Sequence, residues 1–114
     1  MMKLSEIVEK LQLEVKTEGE KLDAEVTRGY ASDLLSDVMA NSQEGDIWIT
    51  MQTHQNIVAV AVLKSLSAII LVNNRIPDES TINKAQEENV PILTSGLPTF
   101  ELVGKLHQLG VTGA

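Results

Sequence analysis

The stretch EGDIWITMQTHQNIVAVAVLKSLSAIILVNN, residues 44–74, decides the fold. It runs from a turn into the apolar IWITM (47–51), a polar patch of Thr53, His54, Gln55 and Asn56, the long apolar IVAVAVL, a second short run AIILV (68–72) and two asparagines. Downstream, VPILTS (90–95) repeats the short apolar theme. Strands buried on both faces lack polar alternation, so runs starting at 47, 68 and 90 with helix-length pieces between them predict parallel strands joined by right-handed crossovers. IVAVAVL alternates valine and alanine and also admits a buried strand, with THQN as a hairpin turn. Its length through Ser65 and the even repeat spacing favour a helix. A helix this apolar around its circumference is either deeply buried or part of a subunit interface, and predicts a homodimer. The predicted fold class is α/β: a single small domain over residues 1–114, with a mainly parallel sheet and helices on both faces.

The flanking segments fit this plan. LSEIVEKL carries Leu4, Ile7, Val8 and Leu11 at helical spacing, LEVKT reads as a strand, and EGEKLD as a polar loop around Gly19. EVTRGYA predicts a second short strand, interrupted at Gly29. Ser32 is placed as N-cap of DLLSDVMANS, with Asp33 near the positive helix end and Leu34, Leu35, Val38 and Met39 on one face. The break at Glu44-Gly45-Asp46 ends that helix. DESTINKAQEEN starts after Pro77 with Ile82 and Ala85 inward. LPTFELVGKLHQLG has Pro98 near its start, an apolar set of Phe100, Leu102, Val103, Leu106 and Leu109, and Gly110 as its stop. Trp48 is assigned to the core.

At 114 residues about two-thirds of the unfolded surface can be buried without metals or crosslinks. There is no cysteine, hence no disulfide framework, no thiolate nucleophile and no zinc ribbon. MMKLSEIVEK turns charged before an apolar signal core develops, and the longest apolar run, 57–63, is far short of the roughly 20 residues that span a bilayer. No membrane association and a cytoplasmic location are expected. A net charge of −7 repels phosphate backbones at long range, and three aromatic side chains, Tyr30, Trp48 and Phe100, offer no stacking platform, so nucleic acid is not an expected partner.

Parallel strands send the loops that follow them to one edge, where helix N-termini present free N–H groups. Those loops supply the expected ligand-binding residues: Thr53, His54 and Asn56, then Asn73, Asn74 and Arg75, then Thr94 and Ser95. Helix capping alone also explains Thr, Asn and Ser at such positions, and a tight turn also explains the asparagine pair. His107, beside Lys105, is assigned to the solvated surface, and Asp33 and Asp37 to a helix face. No phosphate loop, dinucleotide fingerprint or nucleophile elbow occurs, so no catalytic residue, cofactor or metal site is assigned. An enzyme would have to work through His54 with Asp46 or Arg75.

Over nearly the whole chain, the order of LSEIVEKLQLEV, YASDLLSDVMA, the GD at 45–46, IILVNNRIPDE and VPILTSGLPTFELVGKL resembles the DRTGG domain family. The Asp-Arg and Thr-Gly-Gly of the family's name fall on Asp46-Ile47 and Val72-Asn73-Asn74, and the aspartate is kept. The closing segment is similar to the end of the N-terminal domain of HPr kinase/phosphorylase, whose chemistry resides in a separate domain. The resemblance implies a regulatory or ligand-binding module, elsewhere fused to CBS domain pairs or phosphotransacetylase-type enzymes. The expected function is a non-catalytic homodimeric module that binds a small anionic ligand or nucleotide at the loop edge. The alternative is an adaptor that regulates a partner enzyme through its acidic surface.

Overall fold

The computed structural model describes residues 2–18 and 21–114. Four strands, β4 (Arg28–Ala31), β5 (Asp46–Thr50), β6 (Ala68–Leu71) and β7 (Ile92–Thr94), run parallel and pair in chain order. β2 (Glu14–Val15) adds to the far side of β7, antiparallel. A separate two-stranded ribbon joins β1 (Met2–Lys3) to β3 (Glu25–Val26).

Because each parallel strand lies beside its predecessor, every crossover steps the same way, and right-handed crossovers then put all connecting helices on one face. Those helices are α2 (Leu35–Asn41), α3 (Asn56–Lys64) and α4 (Glu79–Glu87). Trp48, Ile69, Leu71 and Ile92 meet Val38, Ile57, Val58, Ala61 and Ala85 there. The alternate side chains Ile47, Ile49, Ile70 and Leu93 point to the opposite face, covered by Leu4 and Ile7 of α1 (Leu4–Leu11) and Leu102 and Leu106 of α5 (Thr99–Gln108). Every residue of β5 and β6 is buried, which is why neither run shows polar alternation. IVAVAVL is helical and buries Ile57, Val58, Val60 and Ala61, leaving Val62 and Leu63 exposed.

Helices α1, α3, α4 and α5 stop in one manner. Gln12, Ser65, Asn89 and Gly110 adopt positive φ, and the next residue's N–H returns to a carbonyl of the last turn, as Leu66 does to Ala61 at 2.9 Å. Gly110 therefore acts as the expected stop.

Several expectations are corrected. Helix α2 begins at Leu35, so Ser32 is not its cap; Ser32 Oγ accepts from the Leu34 N–H instead. Asp33 lies before the helix because its carboxylate is held by Thr50 Oγ1 at 2.8 Å and the Met51 N–H at 2.7 Å, which ties 32–34 to the end of β5. Asp33 and Asp37 thus share no helix face. In EVTRGYA the break falls at Thr27, where the chain leaves the ribbon for the main sheet, and Gly29 continues β4 with its N–H bound to Thr112 O at 3.0 Å. Phe100 is 87% exposed and belongs to no core. On α4 the fully buried positions are Thr81 and Ala85, with Ile82 only half-buried. Gly19 of the expected polar loop lies outside the described residues, and Lys21–Asp23 form a 3-10 turn. No helix among the described residues is long and apolar enough to cross a membrane.

Candidate functional site

The loops following β5, β6 and β7 do emerge at one edge, but they are not equivalent. In open α/β sheets a ligand crevice forms where the strand order reverses. Strands β4 to β7 follow one another without reversal, and hydrogen bonds between loops close the edge over its centre. Asn73 N–H donates to Leu97 O at 2.8 Å, Asn74 N–H to Ser95 O at 3.1 Å, and Arg75 Nε to Met51 O at 3.2 Å. Asn73 and Asn74 reach these partners through consecutive left-handed conformations, φ 61° and 58°, that asparagine tolerates.

Three of the expected site residues serve this closure or a helix start. Thr53 O accepts from the Asp78 N–H and from Thr81 Oγ1 at 2.7 Å, tying the loop after β5 to the beginning of α4. His54 O accepts from the Ile57 N–H, and Asn56 is the first residue of α3, both side chains being exposed.

The opening lies at the flank, where β2 runs against β7. A cavity of about 390 Å³ is lined there by Gln12, Glu14 and Lys16, by Asn74, Arg75 and Ile76 of the loop after β6, and by Thr94, Ser95 and Gly96 at the end of β7 and in the loop after it. A second cavity, about 320 Å³, continues from it past Lys10, Leu97 and Lys105. Gln12, Ser95 and Gly96 line both, so the two form one groove with a saddle over Ser95-Gly96. The structure therefore brings together Asn74, Arg75, Thr94 and Ser95 of the expected set, while Thr53, His54, Asn56 and Asn73 do not line this groove.

Local geometry shapes the saddle. Ser95 Oγ accepts from the Leu97 N–H at 3.1 Å, turning the loop toward α5. A Cβ on Gly96 would stand 3.0 Å from Asn74 Oδ1, so glycine is what lets the Asn74 amide lie against the loop. Lys16 is bound to Ile92 O through its N–H and to Glu14 through Nζ at 2.9 Å.

Lys10, Lys16, Arg75 and Lys105 are four of the nine basic residues of a chain with net charge −7, and all face this groove. Among the described residues Lys10, Arg75 and Lys105 have no carboxylate at ion-pair distance. Lys10, Gln12, Lys16 and Lys105 were outside the sequence-based expectation, because only the pairing of β2 with β7 and the seating of α1 beside α5 assemble them.

Two polar clusters lie on the β4 side of the sheet. Arg28 bonds both oxygens of the fully buried Asp46, at 2.7 and 3.0 Å, and also reaches Asn41 O and Gly113 O. The bond to Asp46 raises the affinity of the guanidinium for its proton, against the opposing effect of burial. Tyr30 Oη donates to Asp37, which also accepts from Asn41 Nδ2 at 2.9 Å. Bonds from Ser32, Asn41 and Tyr30 hold the Asp37 carboxyl below the usual range, while the bond to Asp37 pushes the Tyr30 phenol up.

A family model described as the DRTGG domain matches residues 6–109. No curated protein matches the chain. Among solved structures, it is similar to the crystal structure of the CBS and DRTGG domains of the regulatory region of Clostridium perfringens pyrophosphatase, complexed with the activator diadenosine tetraphosphate. The TM-score is 0.75 at 19% identity, a likeness of fold, and the match covers 97% of this chain and 46% of that one.

Proposed function

This chain belongs to the DRTGG domain family, and from that premise we propose that it is a regulatory module without catalysis of its own, binding a small phosphorylated anion, with nucleotides included, in the groove over Ser95-Gly96. The observation that carries the proposal is the gathering of Lys10, Lys16, Arg75 and Lys105 along one groove of an acidic chain. Like charges placed together repel, and the arrangement is stabilised when an anion enters among them. Arginine supplies a planar fork suited to phosphate, and lysine a mobile point charge. A related fold in a regulatory region that is complexed with a dinucleotide activator supports the same class of ligand. A cytoplasmic location, where nucleotides and phosphorylated metabolites are abundant, goes with this function, as does a homodimer formed through α3.

Thermal unfolding with a panel of nucleotides and phosphorylated metabolites at low salt tests the proposal. A ligand that binds only the folded chain raises the Tm by mass action. The expected result is a rise that R75Q abolishes and H54A preserves, since His54 does not line the groove. A flat response across the panel would overturn the ligand assignment and leave the adaptor reading, whose mark is salt-sensitive co-purification with a basic partner enzyme.

A further inference from the structure

The groove has two lobes, and each carries its own pair of cations. Lys16 and Arg75 belong to the larger lobe, Lys10 and Lys105 to the smaller, and the lobes meet at Gln12, Ser95 and Gly96. A single phosphate sits in one lobe and does not reach the cations of the other; among the described residues Lys16 alone of the four is paired, with Glu14. The saddle between them suits a chain of charged oxygens. The Asn74 amide lies against Gly96, the Gln12 amide offers two donors, and Ser95 Oγ, already accepting from the Leu97 N–H, keeps its own proton to donate. Among the described residues the one carboxylate lining the groove, Glu14, is in the larger lobe and is engaged by Lys16. No described carboxylate lines the smaller lobe.

We propose that the ligand is a linear polyphosphate group, free or carried by a nucleotide, lying across Ser95-Gly96 with one end between Lys16 and Arg75 and the other between Lys10 and Lys105. This rests on the anion-binding function proposed above and narrows it to ligands long enough to engage both lobes. Arg75 lines the larger lobe and its Nε is held by Met51 O, while among the described residues its two terminal nitrogens have no hydrogen-bond partner and can donate to the ligand. Lys10 and Lys105 are exposed side chains on α1 and α5, so their replacement leaves the two cores intact.

Isothermal titration calorimetry of the whole chain at low salt with orthophosphate, AMP, tripolyphosphate and ATP tests it. Tripolyphosphate is expected to bind at least about tenfold more tightly than orthophosphate, the gain of two further charge contacts. ATP exceeding tripolyphosphate in the same proportion as AMP exceeds orthophosphate would identify the nucleotide as the source, and equality would identify the free chain; both uphold the proposal. The K10Q/K105Q double variant is expected to lower tripolyphosphate affinity about tenfold, to near that of orthophosphate, while leaving the melting temperature of the ligand-free protein unchanged. If orthophosphate binds as tightly as tripolyphosphate, or the double variant binds tripolyphosphate normally, the two-lobe inference fails while anion binding stands. If none of the four probes binds, both fail.

Discussion

Arg28 and Asp46 are opposite one another in the register of β4 and β5, and the guanidinium meets the carboxylate at two points, 2.7 and 3.0 Å. The Asp46 side chain is 0% exposed and also accepts from the Gln43 N–H at 2.8 Å, so the aspartate closes the turn before β5 as well as pairing the strands. The arginine that answers this aspartate comes from the neighbouring strand; the next residue along the chain, Ile47, is core. Removing one partner of a buried pair leaves an uncompensated charge, which costs about 3–5 kcal/mol. R28A is therefore expected to lose stability of that order in urea unfolding followed by Trp48 fluorescence. R28K, which keeps the charge but not the two-point fork, should fall between R28A and the parent. A loss below about 1 kcal/mol for R28A, the value of an exposed pair, would refute the buried role.

The Tyr30–Asp37 bond predicts a pH dependence with a definite sign. The Asp37 carboxyl is depressed by bonds from Ser32, Asn41 and Tyr30, so its contribution to stability is present above the ordinary carboxylate range and lost as pH falls through the depressed value. The Tyr30 phenol is raised, chiefly by its bond to Asp37, so its contribution is present below the ordinary tyrosine range and lost as pH rises through the raised value. Both act in full between about pH 4 and about pH 10. Tyr30 is the sole tyrosine, so phenolate absorbance reports it directly. The midpoint should lie above that of free tyrosine, and D37N should bring it down; a midpoint that D37N does not move would contradict the assignment.

Positive-φ positions separate two kinds of glycine. Gly45 sits at φ +86°, and a Cβ there would stand 2.6 Å from Thr27 Oγ1, whereas Gly110, at φ +94°, has nothing within 4 Å. G110A should lose only the backbone term, about 1 kcal/mol, and G45A distinctly more. Adding T27A to G45A should recover the excess. Ser65, at φ 53°, is the converse case, and S65G should gain about 0.5–1 kcal/mol. Chemical denaturation of the four variants checks all of these differences.

What was legible in the sequence follows from range. IWIT, AIIL and ILT announce themselves because both faces of each strand are covered, which leaves no polar alternation. Gly110 is legible because a left-handed helix stop is a local requirement. Ser32 misleads because the group that decides the local path is Thr50, whose bond to Asp33 spans 17 residues. Phe100 misleads because it stands two residues before Leu102, off the Leu102–Leu106–Leu109 stripe. Half of the expected site residues do line the groove, since strand-to-loop order already brings Asn74, Arg75, Thr94 and Ser95 to one edge. The lysines on α1, just after β2 and on α5 have no local signature, and only the placement of antiparallel β2 beside β7 collects them.

The exposed end of α3 carries the last prediction. Leu63 is 71% and Val62 42% exposed, and Met39 of the adjacent α2 is 38% exposed, on a helix whose other residues are nearly all apolar. A stable pair of copies needs about 1,200 Å² of buried surface, with apolar side chains at its centre, and this end of the helical layer offers such a centre. The protein is expected to sediment as a dimer, and L63E to sediment as a monomer with unchanged far-UV circular dichroism, because Leu63 contributes to neither core. A monomeric parent protein would remove the interface, and a dimer that persists in L63E would move it off α3.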